Sequence, residues 1–359
     1  MRQLGISIYP GNASVEAFKR YIEEANALGY KRIFTCMISA GEGDDPFKPF
    51  KELVGFAAER NMQVIADVDP GVFSALGLDY QNLGYFKEMG LYGIRLDLGF
   101  TGIEESIMTY NPYDLKIEIN MSNGTRYLDN IISHRPNKDN LIGCHNFYPH
   151  TYTGISREHF LKCSEQFKDY NIGTSAFVNA QSASFGPWPV NEGLCTLEEH
   201  RELAIEVQAK DLFYTDLIDN VIIANAIPSH EELERLAKVS MTLKTLKVEL
   251  HPESRELEKT IVLNEPHFNR GDVSEYLIRS TQSRVKYKGE SFPVFNTPEI
   301  QPGDIIIESD LYKRYAGELQ VARKAMRNSG KSNVVARIDP KELRLLDHIK
   351  PWDKFAFEE

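Results

Sequence analysis

The feature that most constrains this chain is a repeated unit: a short apolar segment followed by an amphipathic helical pattern, recurring eight times over the first two thirds of the sequence. That alternation is the signature of a parallel sheet covered by helices. The strands read 4–9, 32–38, 63–68, 93–98, 115–120, 141–147, 173–178 and 220–224, and between them lie helical patterns such as those at 15–28, 47–60, 80–89, 125–133, 157–170, 197–209 and 230–240. Ser14, Ser156 and Ser229 stand where side-chain oxygens would cap the first amides of three of these helices. No G-x-G-x-x-G follows a strand, so an open dinucleotide-binding sheet loses its main support, and eight alternations favour closure into a (β/α)8 TIM barrel.

After about residue 240 the rhythm changes. Segments 243–250, 260–263, 276–279, 292–294, 304–308 and 334–338 read as strands separated by turns, with one helix at 312–327, which makes 241–359 a second, β-rich domain after a barrel at 1–240. A length of 359 residues with 42% hydrophobic and 26% charged side chains suits two globular domains. Lys and Arg number 41 against 52 Asp and Glu, a net charge of −11, which opposes nucleic-acid binding. The N-terminus runs straight into a strand pattern, and no apolar stretch is long enough to cross a bilayer, so a cytoplasmic protein is expected. Cys36, Cys144, Cys163 and Cys195 lack metal-ligand or disulfide spacing, and neither a metal nor a cofactor is expected.

In a (β/α)8 barrel the active site lies at the C-terminal strand ends. Asp67 and Asp69 share a face of the third strand, Arg95 and Asp97 one of the fourth, and Glu118 and Asn120 one of the fifth. Unpaired buried carboxylates cost several kcal/mol, so three neighbouring strands carrying acidic groups to one end point to acid/base chemistry. Asp67, Asp97 and Glu118 are the candidate catalytic carboxylates, since two such groups with separated pKa values are the minimum for glycoside hydrolysis. An Arg95–Asp97 pair that merely braces the barrel mouth is the plainer alternative. The sixth strand runs into Cys144-His145-Asn146-Phe147-Tyr148-Pro149-His150, a polar and aromatic set suited to gripping a sugar. Tyr9, at the end of the first strand, is a further contact. The long segment 179–196 reads as a binding loop in which Trp188 could stack on a sugar and Glu192 could supply a third carboxylate. Thr196 to Glu199 reads as a capping box opening the seventh helix. In the second domain His267, Arg270 and Arg279 are candidate phosphate contacts, with a plain turn at 269–272 as the alternative.

The segments Gly5-Ile6-Ser7-Ile8-Tyr9-Pro10, Gly93-Ile94-Arg95-Leu96-Asp97, His145-Asn146-Phe147-Tyr148-Pro149, Gly193-Leu194-Cys195-Thr196-Leu197-Glu198-Glu199-His200-Arg201 and Gly317-Glu318-Leu319-Gln320 together resemble a bacterial family formerly known as a domain of unknown function, whose characterised branch is the 6-phospho-N-acetylmuramidases. The resemblance spans both domains. It implies a TIM barrel joined to a cyclophilin-like β-barrel, acting in the cytoplasm on N-acetylmuramic acid 6-phosphate β-1,4-linked to N-acetylglucosamine, a cell-wall recycling product. Its barrel-mouth pattern falls on Asp67, Asp97, Glu118, His145, Asn146 and Arg201, whereas Asp69 stands where the family more often has a small residue.

The expectation is therefore a phosphoglycosidase in which Asp97 and Glu118, or Asp67, divide the acid and the nucleophile or base duties. Tyr9, Arg95, Asn120, His145, Asn146, Tyr148, Glu192 and Arg201 would orient a small phosphorylated sugar. A substrate N-acetyl group could replace one carboxylate as nucleophile. Alternatives are a TIM-barrel aldolase or isomerase, although no strand-end lysine supports it, and a non-catalytic sugar-phosphate sensor. Homo-oligomerisation stays open.

Overall fold

A computed structural model describes residues 2–38, 47–183, 185–187, 189–190 and 192–359. The chain divides into two compact units, Met1–Val239 and Ser240–Glu359.

In the first unit eight parallel strands close into a barrel in chain order: β1 (Gln3–Ile8), β2 (Arg32–Cys36), β3 (Gln63–Val68), β4 (Gly93–Leu96), β5 (Lys116–Asn120), β6 (Leu141–Cys144), β7 (Gly173–Val178) and β8 (Asn220–Ile223). The ring is sealed by β1 on β8, with Leu4 opposite Val221 and Gly5 opposite Ile222. Around it run α1 (Val15–Ala27), α2 (Lys48–Ala58), α3 (Pro70–Ala75), α4 (Gly84–Glu88), α5 (Ile103–Met108), α6 (Tyr127–Ser133), α7 (Arg157–Asp169), α8 (Ile205–Tyr214) and α9 (His230–Ala237). Ser14, Ser156 and Ser229 each accept a hydrogen bond from the third amide beyond, capping α1, α7 and α9. Asp69 does the same for α3, accepting from Val72 N at 2.8 Å with Pro70 in the first turn. It is thus a cap, not a partner of Asp67 at the site.

Where the seventh helix was expected, at 197–209, there is a 3-10 turn at Glu198–His200 and then α8 from Ile205. The capping box fails because Thr196 Oγ1 is already engaged, accepting from Phe177 N and donating to Asn146 O, each at 2.9 Å. Glu199 instead pairs with Arg157. Glycine is required in the barrel wall at Gly93, where a Cβ would stand 2.7 Å from the Lys116 carbonyl oxygen.

The second unit is a smaller, nearly closed β-barrel. Its elements are β9 (Lys244–Leu250), α10 (Glu256–Asn264), β10 (His267–Phe268), β11 (Leu277–Ser280), α11 (Gln282–Lys286), β12 (Asp304–Glu308), β13 (Leu319–Ala322), β14 (Ser332–Ile338) and β15 (Lys354–Glu358), with sheet order β10-β15-β9-β14-β12-β13-β11. The two edges approach each other, for Arg270 N donates to Arg279 O at 3.1 Å. Residues 260–263, expected as a strand, lie in α10, which Glu258 starts by accepting from Arg255 N. Residues 292–294 form no strand. The helix expected over 312–327 is a short 3-10 segment, Asp310–Tyr315, followed by β13. Gly317 ends it at a φ of +80°, where a Cβ would meet the Phe292 ring.

Inside the first barrel the Arg32 guanidinium bonds Glu118 Oε2 at 2.9 Å, with both side chains almost sealed from solvent. Arg32, Phe34 and Cys36 alternate inward along β2, and Arg32 sits at its beginning. Removing one partner of such a pair strands the other charge. Glu118→Ala is expected to cost about 3–5 kcal/mol, read as a lower denaturation midpoint at unchanged m-value, and a shift within experimental error would show that the pair contributes nothing.

Candidate active site

At the C-terminal ends of the strands a cavity of about 290 Å³ is lined by Phe34, Cys36, Asp67, Arg95, Asp97, Asn146, Phe147, Tyr148, Phe177 and Pro187. Strand parity delivers these groups: Asp67 on β3 is in register with Arg95 on β4, and Asp97 follows two residues later on the same face. Arg95 is buried and divides its guanidinium among three acceptors. Its Nη1 donates to Asp67 Oδ1 at 2.7 Å and to Asp97 Oδ1 at 3.2 Å, and its Nη2 donates to Asn146 Oδ1. Both carboxylate oxygens bond one nitrogen, so they stand no farther apart than the sum of those distances, 5.9 Å.

The two carboxylates differ in exposure: the Asp97 side chain is 41% exposed and that of Asp67 11%. Burial pushes the Asp67 carboxyl up to about 6, against the opposing pull of Arg95 and with the Asp97 charge adding to the rise. Part of that burial is apolar. Phe34, Phe147 and Phe177 meet edge to face, with ring centroids 5.0 to 5.9 Å apart, and make one wall of the cavity. Phe147 belongs to the aromatic set expected to grip a sugar, whereas Phe34, Phe177 and Cys36 were passed over, although Phe34 and Cys36 alternate with Thr35 along β2 and were legible by parity.

The structure brings together Asp67, Arg95, Asp97, Asn146 and Tyr148 and separates the other candidates from them. Glu118 is not at the mouth but inside the barrel, held by Arg32. Tyr9 is buried and gives its hydroxyl hydrogen to Ala224 O. His145 points outward through the barrel wall, since parity faces its neighbours Cys144 and Asn146 inward. There it meets Ser122 and Ser164, and burial lowers its pKa to about 3. Asn120 uses its side-chain oxygen on Ser122 N. Glu192 accepts from Thr151 N and its hydroxyl, which hold its carboxyl below the usual range, and it stands apart from the cavity lining.

Arg201 is a buried brace. Its Nη1 donates to the carbonyls of Tyr148, Glu192 and Gly193, and its other nitrogens bond Glu198. In the second unit Arg270 forks onto Asp272, Arg279 onto Glu318, and His267 is buried against Ser280 and the Val262 carbonyl, so all three expected phosphate contacts are already engaged. Trp188 lies outside the described residues. Among the described residues no group of three or more His, Cys, Asp or Glu is arranged to hold a metal, and no helix is long and apolar enough to cross a membrane. All four cysteines are buried.

Comparison with known proteins gives this geometry a chemical context. Residues 4–238 match the N-terminal domain of the 6-phospho-N-acetylmuramidases and residues 244–358 their C-terminal domain. The chain belongs to the 6-phospho-N-acetylmuramidase family. As a member it is a glycosidase acting on a muramic acid phosphate. It is also similar to the crystal structure of an uncharacterized B. cereus protein, at 46% identity and a TM-score of 0.93 over 100% of this chain and 99% of that one. A conserved Enterococcus faecalis protein of unknown function matches at 25% identity and a TM-score of 0.73, over 99% and 96% of the two chains. No curated protein matches.

Asp97 stands half-exposed at the cavity, and Arg201 is a buried brace. Asp97→Asn is expected to abolish turnover with a melting temperature within about 2 °C of the parent, whereas Arg201→Ala, which leaves several buried carbonyls unpaired, lowers it by several degrees. Calorimetry and rate measurements on both variants check the contrast, and a large thermal loss in Asp97→Asn would make that residue a brace as well.

Proposed function

We propose that this glycosidase cleaves the β-1,4 bond between N-acetylmuramic acid 6-phosphate and N-acetylglucosamine, in a cell that recycles its own wall, and that it does so with retention of anomeric configuration. The observation that carries the reading is the shared Arg95 Nη1, which keeps one oxygen of Asp67 and one of Asp97 within 5.9 Å of each other and so favours the shorter carboxyl separation. Inverting glycosidases need roughly 6.5–9.5 Å between carboxyl groups to seat a water, and retaining ones roughly 5–5.5 Å. Asp67, which burial leaves able to hold a proton near neutrality, is the acid that protonates the departing glycosidic oxygen and then, as base, activates the hydrolytic water. Asp97, open to the cavity and ion-paired with Arg95, is the nucleophile that forms and later releases the glycosyl–enzyme bond. Asn146 and Tyr148 orient the sugar hydroxyls, and the phenylalanine wall receives its apolar face.

Incubation with the phosphorylated disaccharide is expected to release N-acetylglucosamine, with none from the unphosphorylated control, and NMR of the first product formed is expected to show the anomer of the substrate. Binding without release would make the protein a sensor, and the opposite anomer would overturn the retaining assignment.

The acid assignment fixes a pH dependence. Asp67 carries its proton below about 6, so kcat/KM is expected to fall as pH rises through that value, and a profile flat from 5 to 8 would remove Asp67 from the role. The same group affects stability with a definite sign. Its folded pKa lies above its unfolded value of about 4, so the folded state binds more protons between about 4 and about 6, and the contribution of Asp67 to stability declines as pH rises across that window.

A further inference from the structure

A line of buried hydrogen bonds runs from helix α7 on the outside of the barrel to the carboxylates within it. Ser164 Oγ on α7 meets His145 Nε2 at 2.9 Å, and His145 Nδ1 meets Ser122 Oγ, just beyond β5, at 3.1 Å. Ser122 Oγ accepts from Asn146 N at 2.9 Å, and the Asn146 side chain takes the Arg95 guanidinium that holds Asp67 and Asp97. Ser164 and His145 are fully buried, and Ser122 and Arg95 nearly so. The imidazole is fixed on a further side by Phe160, whose ring centroid lies 4.8 Å away. The Asn146 peptide is also tied at its carbonyl, by the Thr196 hydroxyl at 2.9 Å.

We infer that His145 is a positioning residue: from outside the barrel wall it orients the Ser122 hydroxyl, which fixes the Asn146 backbone and, through the Asn146 side chain, the Arg95 clamp on the two carboxylates. A neutral imidazole suits this place because it offers one N–H and one lone pair, enough to bridge two hydroxyls, whereas an imidazolium has no acceptor. Without the ring the Ser122 hydroxyl is left to the Tyr148 hydroxyl and the Asn146 N–H alone, and Asn146 keeps its carbonyl bond but has a less firmly held acceptor for its N–H. Arg95 then loses one of three anchors, on the side away from the carboxylates. The consequence for catalysis rests on the glycosidase reading above, but the consequence for the clamp does not.

The test separates the two. His145→Phe keeps the ring and its packing on Phe160 and removes both hydrogen bonds, and His145→Asn restores an acceptor or donor near the Nδ1 position. In the full-length protein carrying 13C-labelled aspartate, the Asp67 carboxyl is titrated by NMR. Because the Arg95 charge lowers the Asp67 pKa, a loosened clamp is expected to move the midpoint of His145→Phe upward by half a unit or more, with His145→Asn returning towards the parent. Turnover of the phosphorylated disaccharide is expected to fall on the order of 100-fold in kcat with KM little changed, again partly rescued in His145→Asn. A folded His145→Phe protein with the parent's Asp67 midpoint overturns the inference whether or not the disaccharide is cleaved. If that variant does not fold, Ser164→Ala and Ser122→Ala, each removing one hydroxyl, carry the same expectation, and an unmoved midpoint in both overturns it.

Discussion

Everything at the barrel mouth depends on one buried guanidinium. Arg95 joins β3, β4 and the segment after β6 by donating to Asp67, Asp97 and Asn146 at once, and without it two carboxylates would face each other across less than 6 Å. One layer below, Arg32 and Glu118 make a second ion pair from the same chemistry. The difference lies in access to solvent: the Glu118 side chain is 1% exposed and that of Asp97 41%. A sealed pair can only resist separation, because neither charge has water to turn to. The open pair can meet a substrate, since desolvating one member in the apolar cavity raises its proton affinity while the other stays in contact with water.

Much of this was legible in the residues. The period of eight strands, the caps Ser14, Ser156 and Ser229, and the inward face shared by Arg95 and Asp97 follow from alternation and cap chemistry, and the structure has them. Glu118 shows where the reading stops. Parity places it inward, but depth along the barrel axis depends on strand stagger and on Arg32, a residue 86 positions earlier. His145 fails for a different reason: parity puts it outward between two inward residues, yet its chemistry suggested a ligand contact. Thr196 and Glu199 match a capping box locally, and a tertiary bond donated by the Phe177 amide takes the hydroxyl oxygen the box needs as acceptor. The helix at 260–263 was lost because four apolar or β-branched residues look alike in a strand and in the buried face of α10.

Charged residues near the barrel mouth bind main chain: Arg201, a candidate ligand contact, is one, and Glu232, which the sequence did not single out, is another. Arg201 gathers the carbonyls of Tyr148, Glu192 and Gly193, and Glu232 on α9 accepts from the amides of Gln181 and Ser182. Both stems of the loop after β7 are thus tied by buried side chains, as irregular backbone near a barrel mouth requires if its polar groups are not to be stranded. Arg and Glu serve there because one guanidinium or carboxylate satisfies several amide or carbonyl groups at once. Such residues share composition with a catalytic site and differ from it only in what already fills their valences.

The phenylalanine triangle ties packing to chemistry. Phe34, Phe147 and Phe177 reach the cavity from β2, the segment after β6 and β7, and their mutual edge-to-face contacts hold an apolar wall in the same cavity as the Asp67 carboxyl. Burial deprives the Asp67 anion of water, and this loss outweighs the attraction of Arg95, since burial is the larger influence and the net displacement is upward. The rings thus share the cavity with a carboxyl whose burial, more than its ion pair, sets its proton affinity.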